Sequence, residues 1–75
     1  MGIPMDELGR GRSAKVLGLT AQGAFRDRLL DLGLVPGTSV ERVMTSPVGD
    51  PVCYRIRGAM IALRSSDAAC VRVED

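Results

Sequence analysis

Asp27 and Asp31 stand four residues apart, and a helix would set both carboxylates on one face. That spacing suits a divalent cation, but the usual company is missing. Transition ions favour sites where imidazole joins the carboxylates, and this sequence contains no His. The other acids, Asp50 and Asp67 among them, are scattered. An ordinary charged helix face beside Arg28 accounts for the pair, and no metal ligand is assigned. Cys53 and Cys70 are the only thiols. They form no Cys-x-x-Cys pair and have no His to complete a zinc set, so they read as free thiols of a reducing compartment. Gly9-Arg10-Gly11-Arg12 is basic and glycine-rich, yet Lys15 lies outside any Walker spacing, and the run reads as a solvated turn. With the commonest general base absent and no activated nucleophile in view, no catalytic residue and no cofactor site is assigned.

Composition narrows the classes further. The 75 residues suffice for one small domain, and 45% apolar with 25% charged residues supports a core. Ordering costs about 1.5 kcal/mol per residue, which burial must nearly offset, so little remains for a deep cleft. Ten basic residues face nine acidic ones, a net charge of +1, and there are one Phe, one Tyr and no Trp. Neither a basic stripe nor stacking platforms for bases are present, so nucleic acid is not an expected partner. No apolar run approaches a membrane span or a secretory signal, and a cytoplasmic protein is expected, without direct membrane insertion.

Punctuation and periodicity place the elements. Residues 1–7 read as a flexible lead-in, with Met5 as an alternative start of the ordered part, and the domain is expected over 8–75. Ser13 to Leu19 alternates as a first strand. Thr20 is expected to cap a helix carrying Ala21, Phe25, Leu29 and Leu32 at helical spacing, with Leu30 at the stripe's edge. Gly33 then supplies a left-handed C′ residue and Leu34 its apolar C″ partner. Pro36-Gly37 carries the type II turn signature. Thr38 to Thr45 is a second strand whose broken alternation at Val43-Met44 predicts a bulge near Arg42. A rigid loop follows, Ser46-Pro47-Val48-Gly49-Asp50-Pro51. Val52, Tyr54 and Ile56 alternate in a third strand, Gly58-Ala59 reverses the chain, and Ile61 and Leu63 mark a fourth. Ser65 to Ala69 is a turn, or one helical turn capped by Ser or Asp. Val71 and Val73 close a fifth strand. Five short strands with one inserted helix predict a mainly β fold, a small barrel that closes its edges. Val16, Val40, Val52, Tyr54, Ile56, Ile61, Leu63, Val71 and Val73 are its expected lining.

The order of these motifs carries a resemblance. The helix end Arg28-Leu29-Leu30-Asp31-Leu32-Gly33-Leu34, the turn Pro36-Gly37-Thr38, the loop Ser46 to Pro51 and the run Arg57-Gly58-Ala59-Met60-Ile61-Ala62-Leu63-Arg64 together resemble the FeoA family. The likeness spans Leu8 to Val73. It implies an SH3-like barrel and a cytoplasmic accessory role in bacterial ferrous iron uptake, peripheral to the membrane through the FeoB transporter. FeoB itself carries the membrane channel and the GTP-hydrolysing domain. The implied activity is binding to FeoB, not catalysis. The alternative is a metal-binding or metal-responsive regulatory SH3-like domain, for which no ligand cluster is found. Two surfaces are expected to meet the partner: the helix charges Arg26, Arg28 and Asp31, and the loop residues Pro47, Val48, Asp50 and Pro51. Two prolines restrict that loop, which lowers the entropy cost of presenting it. A weak homo-oligomer is also admitted.

Overall fold

Alternation and turn chemistry resolve, in a computed structural model that describes residues 2–74, into six strands and two helices. In chain order these are β1 (Gly2–Pro4), a 3-10 turn (Met5–Glu7), β2 (Ser13–Leu19), α1 (Gly23–Asp31) and β3 (Ser39–Thr45). There follow β4 (Val52–Ile56), β5 (Ala59–Leu63), α2 (Ser65–Ala68) and β6 (Val71–Glu74). All pairings are antiparallel, in the order β1-β6-β2-β3-β4-β5. The expected mainly β fold is present. The hydrogen-bonded order, however, is open, with β1 and β5 as its ends.

Strand β2 serves two ladders. Its first half pairs with β3, Ala14 opposite Val40, and its second half with β6, Leu19 opposite Val71. The register shifts between Val16 and Gly18, and such an irregularity bends a strand and sharpens its twist. The sheet can therefore curl over one core. A second shift between Arg42 and Met44 is the expected bulge in β3. The β4–β5 reversal falls one residue earlier than expected. Arg57 and Gly58 both have positive φ, 53° and 82°, which is what a two-residue hairpin of type I′ demands of its central pair.

Helix α1 starts later than the sequence suggests. Thr20 does not cap it. Its N–H and hydroxyl both donate to the Cys70 carbonyl, at 2.8 and 3.3 Å, which fastens the end of β2 to the approach of β6. The helix C-terminus follows expectation closely. The Gly33 N–H donates to the Leu30 carbonyl at 2.9 Å and the Leu34 N–H to that of Leu29 at 3.2 Å, the bond pair of a Schellman motif. Gly33 has φ 100°, and a Cβ there would lie 2.8 Å from Arg57 Cδ. Leu34 and Leu29 are buried.

The core holds Val16, Val40, Val52, Tyr54, Ile56, Leu63, Val71 and Val73, as expected, while Ile61 is only half-buried against it. It also holds Met5, Leu8 and Ala68. Met5 corrects the reading of residues 1–7 as a lead-in outside the domain. Gly2–Pro4 pairs with β6, and Met5 is 0% exposed. The Tyr54 hydroxyl donates to the Met5 carbonyl at 3.2 Å. The Arg42 guanidinium donates to the carbonyls of Asp6 and Leu8, at 3.1 and 2.8 Å. One apolar side chain and three accepting carbonyls hold the segment in place. Met1 and Asp75 lie outside the described residues.

Candidate docking surfaces

Two prolines and two side chains shape the Ser46–Pro51 loop. Ser46 accepts from the Gly49 N–H through its carbonyl at 2.8 Å, and its hydroxyl donates to the Asp50 carbonyl at 2.6 Å. Asp50 Oδ1 accepts from the Ser65 N–H at 2.7 Å and from the Ser65 hydroxyl at 2.9 Å. Those two bonds from Ser65, aided by the nearby Arg64 charge, hold the Asp50 carboxyl below its ordinary range. The first turn of α2 is thus capped from the loop. The Ser or Asp within residues 65–67 expected for this role does not do it. Local sequence carries no signal for a pair fifteen residues apart.

This scaffold leaves the loop tip outside. Val48 is 87% exposed, and Pro47, Asp50 and Pro51 are exposed with it. On α1, Arg26, Arg28 and Asp31 are exposed and, among the described residues, form no ion pair; the salt bridge present joins Arg55 to Glu41 at 3.0 Å on the surface. Arg28 and Asp31, three apart, share a face, whereas Arg26 projects from the other side of the helix. The structure does not bring the two candidate sets together. The loop leads into β4 at Val52, while the turn that ends α1 packs on Ile56 and Arg57 at the other end of that strand. The length of β4 separates them, about 13 Å.

Other chemistry-bearing groups are apart too. Asp27 and Asp31 are exposed on α1, and no three Cys, Asp or Glu side chains converge among the described residues. Cys53 on β4 and Cys70 before β6 are half-buried, with β2 and β3 between their strands. Burial pushes the Tyr54 hydroxyl up to about 12, which keeps it a neutral donor to Met5. A shallow hollow of about 160 Å³ lies beside Ile3, Leu8, Arg12 and Glu74. It is smaller than the sites that enclose drug-sized ligands. No helix among the described residues is long and apolar enough to cross a membrane.

A curled antiparallel sheet over a single apolar core, with its loops and one short helix face outside, defines a small barrel-type β domain. Residues 3–75 match the FeoA domain model, and the chain belongs to the FeoA family, a family of transport accessory domains. Over 70 residues it is 39% identical to the Fe(2+) transport protein A/Fe(2+) transporter FeoB fusion protein of Porphyromonas gingivalis, covering 93% of this chain and 8% of that protein. The chain therefore spans a small part of that relative's length. Among solved structures it is similar to a FeoA-like protein from Clostridium acetobutylicum, with a TM-score of 0.89 and 34% identity over 97% of this chain and 85% of that one. It is also similar to Stenotrophomonas maltophilia FeoA, solved with zinc and described as a prokaryotic SH3 domain protein. There the TM-score is 0.83 and the identity 35%, covering 99% and 89% of the two chains. The SH3-like fold follows from these likenesses.

Proposed function

We propose that this chain is an accessory module of ferrous iron uptake that docks on a FeoB-type transporter at its cytoplasmic side and acts by binding. The observation that supports this most is the Porphyromonas gingivalis relative, in which a segment 39% identical to this chain belongs to one polypeptide named for both FeoA and FeoB. Fusion raises the effective concentration of one module at the other, which serves two parts that work in contact. The surface fits a docking role. Val48 stands at the tip of a loop already fixed by Ser46 and Asp50, so little ordering entropy remains to be lost on contact. Arg26, Arg28 and Asp31 offer unpaired charge for orientation. Docking that favours one of two transporter conformations would shift the population toward it, in proportion to the difference in affinity.

Co-purification with the FeoB of the same cell tests the proposal. The wild-type chain is expected to be retained, and Val48→Asp or the double change Arg26→Glu with Arg28→Glu to be lost while remaining folded. A wild-type chain that FeoB does not retain would end the reading. Retention of both variants would move the docking surface elsewhere.

A further inference from the structure

Strand β5 ends the sheet, and among the described residues no strand pairs with its outer edge. Its sequence, Ala59-Met60-Ile61-Ala62-Leu63, contains no charge, no Pro and no bulge, the devices that ordinarily blunt a free edge. The hairpin fixes which backbone groups are free. A two-residue turn makes Ile56 and Ala59 a hydrogen-bonded pair, and bonded pairs then alternate along the ladder. Tyr54 with Ile61 and Val52 with Leu63 continue that series. The N–H and C=O groups of Met60 and Ala62 therefore point away from β4, and no backbone partner takes them among the described residues.

The surface beside this edge is apolar toward the Leu63 end, whereas at the hairpin end Met60 lies opposite Arg55, itself paired with Glu41. Ala62 lies opposite Cys53, which lies opposite Met44 on β3. Met44 is 52% exposed and Met60 49%. These outward side chains form a stripe leading to the edge, and its two methionines can adapt to varied neighbours. At the two ends of β5 stand Arg57 and Arg64, both exposed and neither in an ion pair among the described residues.

We propose that the free edge of β5 is a strand-addition site for an extended apolar segment of a partner protein that carries acidic residues at its ends. The segment would take the N–H and C=O groups of Met60 and Ala62 and lay alternate side chains on the Met60–Ala62–Cys53–Met44 stripe. Its acidic ends would meet Arg57 and Arg64. A second copy of this chain fits less well. Symmetric pairing of two β5 edges through Met60 and Ala62 sets Arg64 of one copy next to Arg57 of the other at both ends, and like charges there are unfavourable. The proposal rests on the reading that the chain works by docking, and its test needs no transporter.

The probe is a labelled nonapeptide of five alternating valines and threonines with two aspartates at each end. Fluorescence anisotropy should show saturable binding to the wild-type chain. Affinity should fall by about tenfold for Ala62→Pro, which removes an outward N–H where an edge strand tolerates proline. Replacing the aspartates by lysines should weaken binding by a similar factor at low salt. In the wild-type chain, saturating peptide should slow hydrogen exchange at the Met60 and Ala62 amides by about tenfold or more. That measurement decides the matter alone if Ala62→Pro does not fold. Absent binding, or binding that leaves both amides unprotected, would overturn the proposal. Concentration-dependent dimers that protect the same amides without peptide would overturn it in favour of a second copy. Co-purification with FeoB is a separate readout, so either reading can fail without the other.

Discussion

Met5→Ala probes whether the N-terminal segment belongs to the core. Met5 is fully buried in one cluster with Leu8 and Tyr54, and its carbonyl accepts the Tyr54 hydroxyl. Truncation removes the transfer free energy of the side chain and leaves a cavity, together about 2–5 kcal/mol. A domain of this size has roughly 4–11 kcal/mol in all, so the loss takes a large share. The melting midpoint should fall by about 10–30 °C. Urea and thermal unfolding followed by far-UV circular dichroism would measure it. Met60→Ala is the internal comparison, because Met60 is 49% exposed and should move stability by no more than about 0.5 kcal/mol. Equal stability of the two variants would show that residues 2–7 are loosely attached and that Tyr54 and Arg42 do not hold them.

Two further outcomes follow from titratable groups. Burial pushes the Tyr54 hydroxyl up to about 12 in the folded chain, from its ordinary value near 10 in the unfolded one. The folded state keeps its proton longer, so this contribution is whole below pH 10 and is lost as pH rises toward 12. The loss amounts to about 2–3 kcal/mol. Tyr54→Phe should remove that alkaline slope and cost about 1–3 kcal/mol at neutral pH, since the Met5 carbonyl loses its donor; unfolding curves across pH 7–12 would show both. Asp50 has the opposite sign. Its folded value lies below the unfolded one, so its contribution is present above the unfolded value and fades as pH falls through the folded one. Ser65→Ala should raise the Asp50 titration toward the ordinary carboxylate range, read by carboxyl carbon NMR, and shrink that acid dependence.

The features legible in the sequence are those whose causes are local. The Schellman end at Gly33-Leu34, the bulge after Arg42 and the inward series Val52, Tyr54, Ile56 each depend on a few adjacent residues, and the structure carries them as read. The motif order that resembles the FeoA family is of the same kind. Where the reading went astray, a distant partner outweighed a local preference. Thr20 has the chemistry of an N-cap, yet it bonds Cys70 fifty residues on, because β2 ends beside the approach to β6. Met5 sits among Asp6, Glu7 and Gly2, a stretch with no periodicity, and distant partners draw it inside: Tyr54, Arg42 and the pairing of Gly2–Pro4 with β6.

The make-up of the candidate surfaces is already written in the chain: a proline-bounded loop, a charged helix face, and a strand without charge. The chain also determined what chemistry is absent, because residue types are not altered by folding. Tertiary structure alone decided position. It set the loop and the end of α1 at opposite ends of β4, tied Asp50 to Ser65, and left β5 as an end strand. The reason is physical: which strand lies at an edge depends on how all six pair, and pairing as distant as Gly2 with Glu74 is a property of the whole chain's burial.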